Sequence, residues 1–386
     1  MKKNIYLMYA ISLLQGMVFY GPIATLYRQR QGVSVFQITL IESISLVLCL
    51  LLEIPWGLVA DKIGYKCTMA FCCGLYFISK IIFWQASSFG GFLLERIMLS
   101  VVIAGLSGVD TSILYLSCED GKSQKAFGIY NSLQTAGLLI AAVGFSVFIG
   151  NDYKLAAGLT VISYGLAFVA SLGLTEVKPK ESQFFCLREF RVLFKQTLKN
   201  KYLLLFLIAV GFLAETHQTI TVFLSQIQYE KCGLTATRIG LIYIAVTLAG
   251  LCGILSAKLT KRTGIKFAGA LFYATAALSC LLLAFTDKTV VSIGGMLMLR
   301  VANSLFQPLQ TELQNRQISS ENRATALSIN AMLIDSIGVG TNLAFGALAE
   351  RSLCSAFLFG TSLCVIGLLL LFTWYHREKP FSEINC

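Results

Sequence analysis

Residues 53–67 read EIPWGLVADKIGYKC. A mostly apolar stretch runs into them from Phe36, and another follows. Two acids, two lysines and two glycines therefore sit between apolar runs (Glu53, Asp61, Lys62, Lys66, Gly57, Gly64). That placement suits a short polar turn joining two membrane-crossing helices.

The rest of the chain supports a bilayer as its solvent. Of 386 residues, 56% are hydrophobic and 13% charged, against about 45–50% and about 25% in soluble domains. Mean hydropathy is +0.72. Apolar runs of roughly 20 residues are long enough to span. They fall at 5–27, 36–60, 67–86, 92–117, 126–149, 155–175, 202–225, 236–257, 267–286, 289–312, 324–348 and 354–375. A backbone in hydrocarbon satisfies its own hydrogen bonds, so these runs read as helices. Alternation of period two, the mark of a barrel, is absent. The opening run is too long for a signal peptide and reads as an uncleaved first span.

The net charge is +11. With the N-terminus cytoplasmic, 21 of the 31 Lys and Arg lie in inner segments, 7 in outer segments or span edges and 3 within spans. This is the positive-inside pattern, with both termini cytoplasmic. It makes the basic charge a topology signal and argues against a nucleic-acid partner. The 12 cysteines are scattered, form no C-x-x-C pair and read as small apolar filler. No metal site, catalytic constellation or ATP-binding loop is legible, so neither an enzyme nor a primary pump is expected.

The longest polar segment, near 176–201, divides the spans six and six. The expected domains are a bundle at 1–175, a cytoplasmic linker at 176–201, and a second bundle with a short tail at 202–386. Phe190, Leu193, Phe194, Thr197 and Leu198 give the linker one apolar face, suited to lying on the inner membrane surface. The halves echo each other. Arg96 and Ser100 match Arg300 and Ser304; Lys125-Ala126 with Asn131 matches Arg323-Ala324 with Asn330; Gly64 and Lys66 match Gly264 and Lys266. A duplicated six-span unit fits a transporter.

GLVADKIGYK resembles the loop signature of the major facilitator superfamily, G-x-x-x-D-[RK]-x-G-[RK]-[RK], between spans two and three. Gly57, Asp61, Lys62, Gly64 and Lys66 match; Tyr65 departs from it. Span order and spacing match along the whole chain, as in bacterial twelve-span members. The resemblance implies an all-α membrane protein with twelve transmembrane helices in two pseudo-symmetric six-helix bundles. It also implies a gate: Asp61 docks on the start of span eleven near 319–323, and Lys66 pairs with Glu119 or Asp120. The second copy carries Lys261 where Asp61 stands.

Acids deep in spans are costly, about 2.5–3.5 kcal/mol each on an insertion scale. Glu42, Asp110, Glu215 and Asp335 are the deep ones; Glu95 and Glu312 lie near span ends, and Glu53 near its inner end. Arg96 and Arg300 offset at most two, so the remainder should face a wet cavity or carry a proton. These four are the proton-coupling candidates. Gln15, Tyr20, Arg96, Gln218, Arg300, Asn303, Gln307 and Asn330 are the substrate-cavity candidates, several of them on one polar stripe of span ten that also contains Pro308. His217 points away from Glu215 and reads as structural. The expected function is proton-driven export of small amphipathic compounds across the cell (inner) membrane by a functional monomer. It needs no cofactor beyond the proton gradient. Proton-coupled uptake of a small nutrient is the alternative. A sensor or scaffold on the same fold is a third reading, disfavoured by a tail of eleven residues after Tyr375.

Overall fold

The computed structural model describes residues 2–118, 123–177, 187–318 and 323–377. Every regular element among them is helical. Twelve helices are long and apolar enough to cross a membrane. Spans one to six are Lys2–Arg30, Val35–Glu53, Tyr65–Gln85, Phe89–Ser117, Ser123–Ile149 and Tyr153–Leu172. Spans seven to twelve are Lys201–Lys231, Ala236–Thr263, Ile265–Ala284, Thr289–Arg316, Thr325–Arg351 and Leu353–His376. Span two continues as helix to Ile63. The twelve runs read from hydropathy are therefore the twelve helices seen.

Two compact units result. One comprises Met1–Phe185 with Thr235–Ile244, the other Cys186–Leu234 with Ala245–Cys386. The expected linker falls partly in each. Its helix, Leu187–Lys199, stacks Phe190 on Phe194 at 6.1 Å and buries Thr197, while Arg191, Lys195 and Lys199 stay exposed.

In unit one, span one is broken. Helix ends at Gly16 and resumes through a single turn at Gly21–Ile23. Carbonyls and amides freed by such a break need partners in hydrocarbon. Span six supplies them from one face. Ser163 donates to the Leu14 carbonyl at 2.6 Å, Tyr164 donates to the Gln15 carbonyl at 2.6 Å, and Thr160 accepts from the Phe19 amide at 3.0 Å. Span five approaches just below the break. A Cβ at Gly16 would collide with the Gln134 carbonyl, and one at Gly137 with the Leu13 carbonyl. Small residues thus let these two backbones touch.

Span four also breaks. Its first helix stops at Leu106, Gly108 takes a left-handed φ of 81°, and a second helix runs over Val109–Ser117. In unit two, span ten runs unbroken from Thr289 to Arg316 despite Pro308. Proline lacks the N–H that would bond the carbonyl four residues back, that of Ser304. Gly253 of span eight lies against that carbonyl, where a Cβ would come within 2.8 Å of it. Ser256 donates to the neighbouring Leu305 carbonyl at 2.6 Å. The missing Cβ at 253 gives that carbonyl room.

The duplicated loops agree in backbone geometry. Gly64 has φ 90° and ψ 153°, and Gly264 has φ 84° and ψ 151°. Both angles fall in a region open essentially to glycine. Gly64 is more constrained, because Glu176 places its carboxylate against it and accepts from the Tyr65 amide at 3.0 Å and the Lys66 amide at 3.3 Å. Nothing lies within 4 Å of a Cβ built on Gly264. Gly264→Ala should therefore lose about 1–3 kcal/mol from backbone strain alone. Gly64→Ala should lose more, because it also displaces Glu176 from the start of span three. Thermal unfolding of both variants in one detergent checks the order.

Candidate functional site

Each unit has its own polar interior. In unit one, charged side chains from four spans converge toward the end opposite the N-terminus. Glu42 of span two and Arg96 of span four pair at 2.5 Å. Lys80 of span three pairs with Glu95 of span four at 2.9 Å, and Arg28 of span one approaches the same carboxylate at 3.9 Å. The Lys80 ammonium also donates to the Tyr20 hydroxyl at 3.0 Å and lies 5.2–5.8 Å from the ring centroids of Tyr20, Tyr76 and Tyr164. The Arg28 guanidinium sits over Phe83 at 5.4 Å. Cation–ring attraction is strongest where water is excluded, as here. Ser45 and Ser100 share a hydrogen bond at 2.8 Å beneath the Arg96 pair.

This cluster corrects several sequence expectations. Glu95 reaches no interface: it is 1% exposed and ion-paired. Glu42 is the deep acid that Arg96 offsets. Tyr20 is buried against Phe83, with ring centroids 4.0 Å apart, and presents no open face. The counter-ions were undercounted because Lys80 and Arg28 are far from the acids in sequence. Only the helix packing brings them together.

Asp110 stands differently. It follows Gly108 at the start of the second half of span four, where its Oδ1 accepts from the Thr111 amide at 2.7 Å. Its Oδ2 accepts from the Tyr130 hydroxyl of span five at 3.4 Å. Among the described residues it has no ion pair. Gln15, half-buried at the break of span one, directs its amide at the Cys73 thiol, 3.4 Å away.

In unit two, Glu215 of span seven accepts from the Asn342 side-chain amide at 3.3 Å, and Asn342 in turn accepts from Thr219 at 2.6 Å. Gly338 leaves room for that carboxylate, since a Cβ there would come within 2.7 Å of it. Arg300 lies 3.3 Å from the His217 ring, which also meets Thr221 at 3.4 Å. Gly250 lies against the Arg300 guanidinium. Span ten does not offer its polar stripe as one open face. Asn303 and Ser304 are buried, whereas Gln307 and Thr311 are exposed. Asn330 is 1% exposed, so it and Asn303 are interior to the unit and line no open surface. Gln218 and Asp335 are exposed.

The loop gate is only partly visible. Lys62 is exposed and Gly64 and Lys66 belong to the turn described above. Glu119, Asp120 and residues 319–322 lie outside the described residues, as do the surroundings of Gly57 and the side chain of Asp61. Glu176, a group the sequence did not single out, occupies the amides that open span three.

Twelve membrane-length helices, with charged and amide side chains sequestered inside each unit, define a multi-pass membrane protein of transporter type. The chain belongs to the Major Facilitator Superfamily, whose sequence profile matches residues 5–341. This is a family of secondary transporters, not enzymes. Over 176 residues the chain is 26% identical to an uncharacterised transporter of this family from Methanocaldococcus jannaschii. That stretch spans 45% of this chain and 44% of the relative, less than half of its length. Among solved structures, the nucleoside transporter NupG superposes with a TM-score of 0.82 at 17% identity, covering 97% of this chain and 100% of NupG. A D-xylose–proton symporter gives 0.72 at 15% identity, covering 98% and 97%. A bacterial homologue of the human lysosomal transporter Spinster gives 0.73 at 17%, covering 97% and 96%. At these identities the likeness is one of fold.

The buried pairs carry a stability consequence. Glu95→Gln removes the partner of two interior cations and should cost about 3–5 kcal/mol. Replacing Lys80 and Glu95 together by Met and Leu should cost less than the single change. Unfolding temperatures of the single and double variants decide this.

Proposed function

We propose that this chain is a proton-coupled secondary transporter of the cell membrane that exports small amphipathic compounds by alternating access. The observation that carries the coupling is Asp110. Its carboxylate is held by a hydroxyl and a backbone amide, whereas Glu42 and Glu95 are each held by cations. A proton can join or leave Asp110 without stranding a buried counter-ion. Its place at the break of span four links that proton to the packing of spans four and five through Tyr130. Glu215, held by Asn342, and exposed Asp335 are the second-rank candidates.

The amphipathic character of the cargo is supported by the fate of the polar stripe. A hydroxylated nutrient would need a continuous row of hydrogen-bonding groups, and span ten turns Asn303 and Ser304 inward. Uptake is the second reading, favoured by structural neighbours described as a nucleoside transporter and a D-xylose–proton symporter. In this proposal both termini are cytoplasmic, the monomer suffices, and Asp61 acts as the latch that the loop signature implies.

Energised everted vesicles distinguish the directions: export gives accumulation inside, uptake gives none. Asp110→Asn should abolish the response of transport to a pH gradient while leaving membrane insertion intact. An unchanged response moves the coupling to Glu215 or Asp335. Asp61→Asn should slow turnover at unchanged insertion, and wild-type turnover in that variant removes the latch.

A further inference from the structure

The charged cluster of unit one does not sum to zero. Arg28, Lys80 and Arg96 face Glu42 and Glu95, three cations against two carboxylates. The excess cannot be shed as a proton from arginine, which does not deprotonate in proteins. Nor is Lys80 a candidate to lose its charge, with Glu95 at 2.9 Å. The next acids on the same helices are distant. Glu53 lies eleven residues beyond Glu42, and Asp110 fourteen beyond Arg96. The first interval corresponds to ~16 Å of helix, and the second crosses the break at Gly108.

Hydrogen bonding is also incomplete at the same place. Arg28 is 8% exposed, its ion contact is long at 3.9 Å, and its Nε has no hydrogen-bond partner. The Nε of Arg96 is likewise buried without one. A buried donor left unmade, or a buried charge left unbalanced, is strongly unfavourable. Both deficits have one remedy, a monoanion with oxygen acceptors. Access exists at Arg96, whose side chain keeps 21% of its surface open. Phe83 and Phe92, both fully buried, pack around Arg28 and shut water out, with Tyr20 and Tyr27 stacked on Phe83. A planar carboxylate suits the forked guanidinium.

We propose that this end of unit one binds small organic monoanions, with the carboxylate on Arg96 and the excess charge of Arg28 behind it. The proposal rests on the reading of the chain as a carrier of amphipathic compounds and names their charge. It does not depend on direction or on proton coupling.

The test is binding to the purified full chain in a neutral detergent, without any gradient. The probes are benzoate and octanoate, the neutral benzyl alcohol, the cationic benzylamine, and chloride, each read by the shift in unfolding temperature. Carboxylates should stabilise in a saturable way, and the neutral and cationic probes should not. Glu42→Gln raises the excess charge and should tighten benzoate binding. Arg28→Gln removes it and should weaken binding about tenfold or more. If Arg28→Gln does not fold, the direction of the Glu42→Gln effect decides alone. No shift with either carboxylate overturns the site. So does equal binding of benzyl alcohol, or a Glu42→Gln variant that binds benzoate no better than the wild type. A shift with chloride equal to that with benzoate assigns a structural counter-ion and overturns the substrate class. Charge-dependent binding together with failed proton coupling would leave this site standing and sink the coupling through Asp110.

Discussion

Hydrogen bonds that water cannot supply must be supplied by the chain itself, and this constraint shapes both units. Where span one stops being a helix, span six presents Thr160, Ser163 and Tyr164 on a single face to close the open backbone groups. Where Pro308 withholds an amide in span ten, Gly253 leaves room for the carbonyl at 304 and Ser256 donates to the one at 305. Irregular backbone is tolerated at membrane depth only where neighbours complete it. The hydroxyl-bearing residues of the spans are thus fixtures of the backbone more often than parts of a ligand site.

The helices were legible because their signal is local. Twenty apolar residues declare a span without reference to any other part of the chain. The duplicated glycine turns were legible for the same reason, and Gly64 and Gly264 share a backbone conformation reserved for residues without a Cβ. The breaks in spans one and four left a fainter trace. Gly108 has Ser107 and the polar residues Asp110, Thr111 and Ser112 beside it but no proline, and hydropathy passes smoothly across Gly16. Pro308, the residue that did suggest interruption, lies in a continuous helix.

The charged interior was the least legible part, because ion pairing is a property of packing. Glu95 and Lys80 are fifteen residues apart, on separate helices. Glu42 and Arg96 are fifty-four apart. A one-dimensional reading could rank the acids by depth but could not assign their partners. With partners known, the carboxylates sort by what holds them: cations for Glu42 and Glu95, an amide side chain for Glu215, a phenol for Asp110. In the proposed coupling, the phenol contact of Asp110 lets a proton exchange without leaving a naked cation behind. Likewise, polar periodicity on span ten marked residues that share a face without revealing that buried and exposed positions alternate along it.

The three-against-two arrangement around Arg28 also acts beyond contact range. An unbalanced elementary charge 10 Å from a passing cation, at an effective dielectric constant of 20, repels it by about 1.5–2 kcal/mol. Such a field discriminates before any shape is read, much as a charged ring screens ions at the mouth of a pore. Cationic amphiphiles would meet a hill at this end of the unit, and anionic ones a descent.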